Sequence, residues 1–424
     1  MEKNFDVAIV GAGMVGTTLA CLLAKLGLRI SLIDHGSLVQ WQQEEQSNKQ
    51  STGENNGPIN RVSALNHGTL KILQYIDTWS SIQVKGASPY EKMRVWEQHS
   101  LSSISFDAEE LGYANLGHIV SNHAVVSTNA ERLKQNYQVR IFENTKVNQL
   151  HFQDTSVNLE ISTSNSDDDS KVSSISASLL VGADGSQSVI RKFCDINTHC
   201  HDYQQKAVVA TVTLEDNHRN TAWQCFLDTG PVALLPLQDG RCSIVWSCDN
   251  EYAETLGQLS NDGFCDALSQ VFRSHLGKIT HCSERRLFPI QQHHADQYIS
   301  KRTVLVGDAA HITHPLAGLG ANIGFMDAAV LAETIQQAQN NRKNIGNHSV
   351  LRRYERWRKG ENAQVLALMK AIKALFSNHK PSTRIARQVG LNAVDNLPMI
   401  KNQLALSAMG ITGDIAAICK PPHR

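Results

Sequence analysis

The first part of the chain alternates between apolar runs and glycines. Phe5–Val10 is a short run rich in β-branched residues that breaks into glycines. Thr17–Leu26 carries apolar residues at helical spacing and closes on Gly27, and Arg29–Ile33 is a second apolar run that ends at Asp34. This order of patterns predicts a strand, a helix and a second strand within about 30 residues. It indicates the opening of a doubly wound sheet.

The pattern changes in the middle of the chain. Between about residues 200 and 290, the short β-rich runs AVVATVTL, PVALLPL and CSIVWSC are separated by turn residues, which predicts a mostly antiparallel sheet. Around Thr303 the strand–glycine–helix pattern returns, and from Ser349 onwards the spacing is helical, punctuated by Pro381 and Pro398. The predicted fold class is therefore α/β. A Rossmann-like nucleotide-binding domain is interrupted by an inserted, mostly antiparallel β-sheet domain and followed by a helical C-terminal cap.

Composition narrows the class of protein. The chain has 424 residues with a hydrophobic fraction of 41%, which suits a folded protein of two domains. Forty Lys and Arg balance forty Asp and Glu, so no net field would attract nucleic acid, and none is expected as a partner. No run approaches the ~20 apolar residues of a membrane-spanning helix, and the N-terminus resembles a strand more than a signal peptide. These features predict a cytoplasmic protein.

The nine cysteines are dispersed and form no CxxC pair, which predicts free thiols in a reducing compartment. Cys194, His199, Cys200 and His201 lie close together in the sequence. Adjacent His-Cys-His is poor spacing for one tetrahedral ion, so we expect a solvated loop there and no metal site.

The first motif that indicates chemistry is Gly11-Ala-Gly13-Met14-Val15-Gly16, between the first strand and the first helix. Gly11 permits a tight turn, Gly13 lets the backbone approach a pyrophosphate, and Gly16 allows close helix–sheet packing. The helix start supplies free N–H groups for the phosphates. Asp34, about 20 residues further on, is placed to accept hydrogen bonds from ribose hydroxyls. The motif predicts a tightly bound dinucleotide with an unphosphorylated ribose, either FAD or NAD.

Two further strands end in an aspartate–glycine pair. Leu179–Gly185 delivers Asp184, and Val304–His311 delivers Gly307-Asp308. After the second of these comes a Gly/Pro loop and a predicted helix start near Ala321. Such a helix start offers N–H groups to an electron-rich atom. Each motif taken alone is also compatible with an ordinary turn or a strand–loop–helix connection.

Together the three motifs resemble the group A flavoprotein monooxygenases, and within them the ubiquinone-biosynthesis hydroxylases. The resemblance covers nearly the whole chain and is closest to the 2-polyprenylphenol hydroxylase branch. Its other markers are the segments RVSALN at 61–66, MRVW at 93–96, NLGHIV at 115–120, HPLAG at 314–318, GFMDAA at 324–329 and RYERWRKG at 353–360.

The resemblance implies a division of the chain and a set of cofactor contacts. The FAD-binding domain would comprise residues 1–75, 100–195 and 285–348, the β-rich substrate domain 76–99 and 196–284, and the helical C-terminal region 349–424. The implied FAD-binding residues are Gly11, Gly13, Met14, Val15, Gly16, Asp34, Arg61, Asp184, Asp308, Pro315, Gly320, Ala321 and Asn322. Of these, Asp308 would accept from the ribityl chain, Ala321 and Asn322 would direct backbone N–H groups at the flavin ring, and Asp184 would also serve NAD(P)H. No metal and no catalytic side chain is assigned.

The implied reaction is hydroxylation of a polyprenylated phenol at ring carbon 5 (carbon 6 in phenol numbering). NAD(P)H and O2 are the co-substrates, and the oxygen is transferred through a flavin C4a-hydroperoxide. Such a substrate needs an apolar tunnel for its tail or contact with the inner membrane surface. The resemblance also implies association with other quinone-biosynthesis enzymes, and a homo-oligomer is expected. The amphipathic segment Val365–Phe376 is a candidate for membrane contact or for packing on the body.

The sequence departs from the family pattern at two points. Leu319 replaces the usual glutamine after HPLAG, and Ser121 replaces the usual glutamate after HIV. Leu319 leaves a non-catalytic FAD-binding assembly subunit as an alternative. Because the binding motifs do not specify oxygen chemistry, a flavin reductase of a prenylated substrate also remains, as does hydroxylation at another ring position. The sequence does not distinguish NADH from NADPH.

Overall fold

The computed structural model describes residues 3–37, 61–98, 103–164, 171–313, 318–376 and 395–420. In chain order, its strands are β1 (Lys3–Val10), β2 (Ile30–Ile33), β3 (Val62–Asn66), β4 (Ala87–Tyr90), β5 (Lys92–Glu97), β6 (Ser103–Asp107), β7 (Gly117–Ser121), β8 (Val139–Phe142), β9 (Thr145–Phe152), β10 (Val157–Thr163), β11 (Lys171–Gly182), β12 (Thr198–Leu214), β13 (Thr221–Leu227), β14 (Gly230–Pro236), β15 (Cys242–Asp249), β16 (Ile279–Cys282), β17 (Arg286–Ala295), β18 (Ile299–Ser300), β19 (Thr303–Leu305) and β20 (His311–Ile312).

The helices connect and cover these strands. In chain order, they are α1 (Met14–Lys25), α2 (His67–Tyr75), α3 (Trp79–Gly86), α4 (Asn122–Lys134), α5 (Val189–Phe193), α6 (Asn250–Gln258), α7 (Asn261–Leu276), α8 (Leu319–Asn340), α9 (His348–Phe376) and α10 (Pro398–Ala408). Single 3-10 turns cover Glu109–Leu111, Gly307–Ala309 and Ala417–Cys419.

The first sheet has eight strands and contains the predicted doubly wound unit. Its order is β18-β19-β11-β1-β2-β8, and β9 and β10 extend it through β11. The β19, β11, β1, β2 and β8 strands run parallel. All four residues of β2 are buried, as expected of a parallel strand that helices cover on both faces. Helix α1 is buried from Gly16 to Ala24 because it packs between the sheet, α4 and α8.

The second sheet is the predicted antiparallel layer. Its nine strands follow the order β20-β17-β12-β15-β14-β13-β5-β6, with β16 beside β12. Neighbours in this order are antiparallel except β13 and β5. Its core includes Trp246 and Val208 of the sheet with Phe264 and Phe272 of α7. Helices α6 and α7 lie within the stretch that the sequence reasoning assigned to strands, because it counted only the β-rich runs.

Sheet membership differs from the expected domain boundaries at several strands. The β6, β17 and β20 strands fall in segments assigned to the FAD-binding domain, but they pair within the nine-stranded sheet. The β4 strand was assigned to the substrate domain, but it pairs with β7 in a separate three-stranded sheet, β3-β7-β4. The sequence reasoning located the β-rich runs correctly. A local pattern does not indicate which distant strand each run pairs with. The division into domains therefore remains a proposal.

Candidate active site

The candidate site lies at the carboxyl edge of the parallel sheet. Val10 of β1 lies opposite both Ile33 of β2 and Gly182 of β11, and Gly182 lies opposite Leu305 of β19. The residues that follow these strand ends include Gly11, Asp34, Asp184 and Asp308. Four motifs far apart in the sequence therefore meet at one edge, which is where open α/β sheets bind their ligands.

The glycines after β1 have different structural roles. Gly11 has φ of +105°, and a Cβ there would lie 2.2 Å from the carbonyl oxygen of Ala183. A Cβ on Gly16 would lie 1.9 Å from the carbonyl oxygen of Gly11. These two glycines are therefore required by the fold itself. Gly13 differs because a Cβ there would meet nothing within 4 Å. It is the N-cap of α1, with no side-chain cap, so the helix start faces open space.

The other two positions of the motif are partly packed. The Val15 side chain packs against Gly307 and Gly324. A Cβ on Gly307 would lie 3.2 Å from Val15 Cγ2, and a Cβ on Gly324 would lie 2.8 Å from the same atom. Met14 is half-buried and packs against the core of the first sheet. Only the backbone N–H groups of these two residues are therefore suited to a ligand at the helix start.

Asp34 holds the glycine turn through its carboxylate. Its Oδ2 accepts from the Ala12 N–H at 2.6 Å, and its Oδ1 accepts from the Gly36 N–H at 2.8 Å. The side chain is 18% exposed, so part of it still faces solvent. Carboxylate oxygens can accept more than one hydrogen bond each. Asp34 can therefore hold the turn and accept from a ligand hydroxyl at the same time.

Asp308 lies on the floor of a cleft. It forms part of a single 3-10 turn whose first residue, Gly307, has φ of +59°. Its side chain is open to solvent although protein surrounds it on most sides. These surroundings raise the pKa of Asp308, and the charges of His311 and Arg61 oppose the rise. The guanidinium of Arg61 lies 5.5 Å from the ring of Phe288 on β17. The structure therefore brings Arg61, the residue immediately before β3, towards Asp308.

Asp184 is engaged by its own helix. Its Oδ1 accepts from Ser188 Oγ at 2.6 Å, and its Oδ2 accepts from the N–H groups of Val189 and Ile190 at 2.7 and 3.1 Å. These contacts cap the short helix α5. The carboxylate therefore has a clear structural task, and its expected role towards FAD and NAD(P)H stays a prediction.

The buried guanidinium of Arg191 connects two of the motifs. Its Nη2 donates to the carbonyl oxygen of Ser186 at 2.8 Å, and its Nη1 donates to that of Ala309 at 3.0 Å. Burial lowers the pKa of Arg191, and the Asp184 charge opposes this effect. One side chain thus fixes the turn after Asp184 to the turn that carries Asp308.

Helix α8 begins two residues earlier than predicted. Gly318, with φ of +62°, precedes its first residue Leu319, whereas the sequence indicated a start near Ala321. Leucine has a good helix propensity, so the helix extends back to the left-handed glycine. A Cβ on Gly320 would lie 3.2 Å from Thr313 Oγ1. Pro315, also predicted to contact FAD, lies outside the described residues.

The side chain of Asn322 clamps this helix start to β3. Its Oδ1 accepts from the Asn66 N–H at 2.9 Å and from Thr69 Oγ1 at 2.8 Å. Its Nδ2 donates to the carbonyl oxygens of Ala64 and Gly318 at 2.7 and 3.1 Å. Sequence reasoning assigned Asn322 a contact through its backbone. The clamp is an additional structural task for its side chain.

Leu319 joins the start of α8 to the second sheet. It packs in an apolar cluster, called here the α9 cluster, made of Met93, Val95, Ile104, Phe106, Phe226, Leu319, Val365, Met369, Ile372 and Phe376. The rings of Phe226 and Phe376 stack with centroids 3.8 Å apart. The residue that departs from the family pattern is therefore in contact with apolar side chains of β5, β6, β13 and α9.

Sequence reasoning missed a buried polar network below Asp308. It consists of Asp327, His311, Arg358, Asn362 and Tyr298. Two signals were available: a single carboxylate inside the apolar stretch GFMDAAVLA, and Arg358 and Asn362 one helical turn apart. Neither signal identifies the partner of the other without the fold.

His199, Cys200 and His201, which the sequence placed in a solvated loop, lie instead at exposed positions of β12. His199 Nε2 lies 2.9 Å from Asp296, and Cys200 Sγ lies 3.5 Å from His293 Nε2. Within the described ranges, no three His, Cys, Asp or Glu side chains are grouped so that they could hold a metal ion. Among the residues that the structure describes, no helix is both long and apolar enough to cross a bilayer.

The residues present fit FAD. The open space at Gly13 would admit a pyrophosphate at a helix start, the partly exposed Asp34 carboxylate follows β2 where this type of fold binds a ribose, and Asp308 presents an exposed carboxylate. The fold and the site together define a flavin-dependent enzyme with a doubly wound FAD-binding layer and a second, antiparallel sheet.

Comparison with known proteins specifies the family. The family model described as "FAD binding domain" matches residues 4–368. The ubiquinone biosynthesis monooxygenase COQ6 of Danio rerio is 31% identical over 95% of this chain and 89% of its own length. The 3-demethoxyubiquinol 3-hydroxylase of Escherichia coli is 30% identical over 96% of this chain and 98% of its own length. The chain belongs to the FAD binding domain family and, within it, to the ubiquinone-biosynthesis monooxygenases.

Solved structures agree on the fold. The p-nitrophenol 4-monooxygenase PnpA of Pseudomonas putida matches with a TM-score of 0.75 and 19% identity, over 96% of this chain and 99% of its own. PqsL of Pseudomonas aeruginosa matches with a TM-score of 0.74 and 19% identity, over 92% of this chain and 100% of its own. The protein is thus an FAD-dependent monooxygenase that uses NAD(P)H and O2, and the predicted fold class, cofactor and enzyme class are confirmed.

Proposed function

We propose that this protein hydroxylates the ring of a polyprenylated phenol or quinol in ubiquinone biosynthesis, with 2-polyprenylphenol as the substrate and ring carbon 5 as the position. The observation that carries the general proposal is the full-length similarity to ubiquinone-biosynthesis monooxygenases. The particular phenol rests on the resemblance of the segments at 115–120, 324–329 and 353–360 alone. A second candidate is hydroxylation at another ring position, which the similarity to a 3-demethoxyubiquinol 3-hydroxylase favours.

The residues at the carboxyl edge of the first sheet would hold FAD. The N–H groups at the start of α1, beyond Gly13, would bind the pyrophosphate, and Asp34 would accept from the ribose. Asp308 would accept from the ribityl hydroxyls, and Arg61 would face the cofactor from the other side of the cleft. Bound FAD supplies the redox chemistry, since NAD(P)H reduces it and the reduced flavin activates O2.

The start of α8 would stabilise negative charge on the reduced flavin. The N–H groups of the first turn, which includes Gly320 and Ala321, have no partner within the helix and carry the positive end of its dipole. Because Asn322 clamps this turn to β3, the N–H groups are fixed before the ligand arrives. Preorganised donors stabilise developing charge without reorganisation.

The α9 cluster would exclude water from the reacting ring. Leu319 joins the first turn of α8 to apolar residues of the second sheet and of α9. Apolar packing beside the reacting atoms keeps out water, which would otherwise divert activated oxygen to peroxide. This arrangement suits an apolar, ring-containing substrate better than a charged one.

The C-terminal helices would provide contact with the inner membrane surface on its cytoplasmic side. Helix α10 and the residue before it expose Leu397, Met399, Ile400 and Leu404, and Met399 is 84% exposed. On α9, Met369 packs on the body while Leu368 is exposed. Exposed apolar side chains on a helix surface are typical of interfacial contact. Association with other quinone-biosynthesis enzymes and a homo-oligomer belong to the same proposal.

Product analysis tests the proposed reaction. Purified protein with bound FAD is mixed with NADH or NADPH and a short-chain 2-polyprenylphenol, and the products are identified by mass spectrometry. Phenol-dependent NAD(P)H oxidation with one added oxygen per ring is expected. A reduced substrate without added oxygen would instead indicate a reductase, whereas NAD(P)H oxidation that yields only peroxide would indicate an uncoupled monooxygenase. No turnover of either a prenylated phenol or demethoxyubiquinol would favour the assembly subunit.

The ring position is tested in cells. A deletion strain accumulates the intermediate before the blocked step, and its mass identifies which hydroxylation is missing. Accumulation of 2-polyprenylphenol supports the proposed substrate, whereas accumulation of demethoxyubiquinol supports the second candidate. An unchanged quinone profile would contradict both.

A further inference from the structure

A buried ion pair lies directly beneath the turn that carries Asp308. The Asp327 side chain, on α8, has no exposed surface, and Arg358, on α9, is 4% exposed. Asp327 Oδ1 accepts from Arg358 Nε at 2.7 Å. Asp327 Oδ2 accepts from the backbone N–H of Gly307 at 3.0 Å. The carboxylate therefore holds the residue immediately before Asp308.

Two further side chains complete the shell around Asp327. His311 Nε2 lies 2.5 Å from Oδ2, and Asn362 Nδ2 donates to Oδ1 at 3.2 Å. Asn362 Oδ1 in turn accepts from Arg358 Nη2 at 2.7 Å. Burial alone would raise the pKa of Asp327, but the charges of His311 and Arg358 lower it to about 2. The carboxylate is therefore ionised at neutral pH.

A buried ion pair is a costly way to stabilise a core, because well-packed apolar residues usually do as well or better. This one contributes a defined geometry. Its oxygens are aimed at one backbone N–H in a turn where Gly307 has φ of +59°. A cluster of apolar side chains would leave that N–H without an acceptor.

Helix α9 extends from this ion pair to the second sheet. Its buried face carries Arg358 and Asn362 and, further along, Leu366 and Met369. Met369 belongs to the α9 cluster, which also contains Leu319. One helix therefore contacts both Asp327, which holds the turn with Asp308, and the apolar residues next to the start of α8.

We propose that Asp327, Arg358 and Asn362 are positioning residues for FAD: they fix the Gly307–Asp308 turn and thereby set where the Asp308 carboxylate meets the cofactor. The proposal rests on the FAD-binding role proposed above for Asp308, and it is independent of the substrate. None of the three residues needs to touch FAD.

Asn362→Ala is the primary test because it removes the amide and leaves the two charges paired. The measurements are the Kd for FAD by titration of the apoprotein, the reduction potential of the bound flavin, and the thermal unfolding of the apoprotein. We expect the Kd to rise about tenfold or more, as for loss of a hydrogen bond to a charged group, and the potential to shift. The matched control is Arg356→Ala, at an exposed position on the same helix, which should change neither quantity.

Other outcomes decide against the proposal. A purely structural role predicts a lower unfolding temperature with wild-type Kd and potential, measured well below that temperature. If Asn362→Ala does not fold, Arg358→Lys is used in its place, because lysine keeps the charge but lacks the planar guanidinium. The Kd for FAD and the reduction potential of the bound flavin then decide. Asp308→Ala separates the two claims. If Asp308→Ala binds FAD as tightly as the wild type, the role of Asp308 itself is refuted. If Asp308→Ala binds FAD more weakly while Asn362→Ala binds it as tightly as the wild type, only the positioning role is overturned.

Discussion

The backbone N–H of Asn66 donates a hydrogen bond to the side chain of Asn322, which lies 256 residues later in the chain, at 2.9 Å. This bond joins the end of β3, the strand that follows Arg61, to the first turn of α8. Both asparagines are at least nine-tenths buried. The end of β3 and the start of α8 are therefore held together by the side-chain amide of Asn322.

Replacing Asn322 by alanine should loosen both segments. Two donors and two carbonyl oxygens would lose their partner, and we expect a loss of about 3 kcal/mol in the free energy of unfolding together with weaker FAD binding. Denaturant unfolding and FAD titration measure the two effects. Asn340→Ala, at an exposed position on the same helix, is the control. A destabilisation as small as that of the control would show that the clamp is not needed.

Gly13 and Gly16 should respond in opposite ways to the same change. Gly13→Ala introduces a Cβ into open space, so the apoprotein should keep its stability while FAD binding falls, because the methyl group occupies the approach to the pyrophosphate. Gly16→Ala forces a Cβ to 1.9 Å from a backbone oxygen and should destabilise the fold. Thermal unfolding and FAD titration of both variants test this contrast. Undiminished FAD affinity in Gly13→Ala would argue against a pyrophosphate at this position.

Asp308→Ala should weaken FAD binding by about 1.5–3 kcal/mol without destabilising the apoprotein. Because the pKa of Asp308 is raised above its ordinary value of 3.8, the folded state holds the proton more tightly than the unfolded chain. The ionised carboxylate therefore lowers the stability of the apoprotein at neutral pH, and removing it relieves that penalty. Calorimetry of the two apoproteins at pH 7 checks the sign. Asp239→Ala provides the contrast: burial opposes the change, but hydrogen bonds from Arg241 lower the pKa of Asp239, so its removal should destabilise the protein.

The same raised pKa gives a pH dependence. As the pH falls through the pKa of Asp308, which lies above 3.8, wild-type apoprotein should lose less stability than Asp308→Ala does, while FAD affinity declines because a carboxylate acceptor is lost. If FAD affinity declines in the same way at low pH in both proteins, a group other than Asp308 causes the decline.

Leu319→Gln should leave FAD bound but reduce coupling. The change places an amide among apolar side chains of the α9 cluster without a defined partner, at a cost of about 1 kcal/mol for a half-buried position. Water admitted beside the flavin should increase the peroxide released per NAD(P)H oxidised. Val84→Gln, at an exposed position, is the control. Less peroxide from Leu319→Gln than from the wild type would indicate a degenerate site that the glutamine restores.

Local patterns in the sequence were enough to predict β1, β2, β11 and β19 of the first sheet and the motifs at their ends. The motifs around Gly11, Asp34 and Asp308 each depend on a few consecutive residues, and the rule that parallel strands end at one edge then brings them together. The pairing of β6 and β17 with the second sheet depends on contacts between distant segments, which no local pattern records. The same is true of the partners of Asn322 and Asp327.

One expectation changes with the structure. From the sequence, truncation after Arg358 leaves the three cofactor motifs intact and FAD binding at least partly preserved. The structure shows that this truncation removes Asn362 from the shell of Asp327 and residue 408 from its contact with Asn66. We now expect the truncated protein to lose FAD, as measured by absorbance after gel filtration.

The contact between Asn66 and residue 408 also constrains when the site can form. The Asn66 side chain donates to the carbonyl oxygen of Ala408, 342 residues later, and the Gly68 N–H donates to that of Met409. A ribosome that has released only the nucleotide-binding segments has not yet made the residues that hold β3 and α2 in place. Closure of so long a loop is slow compared with local folding. The FAD-binding site should therefore form only when synthesis of the chain is nearly complete. FAD that is present during translation should bind only after that point.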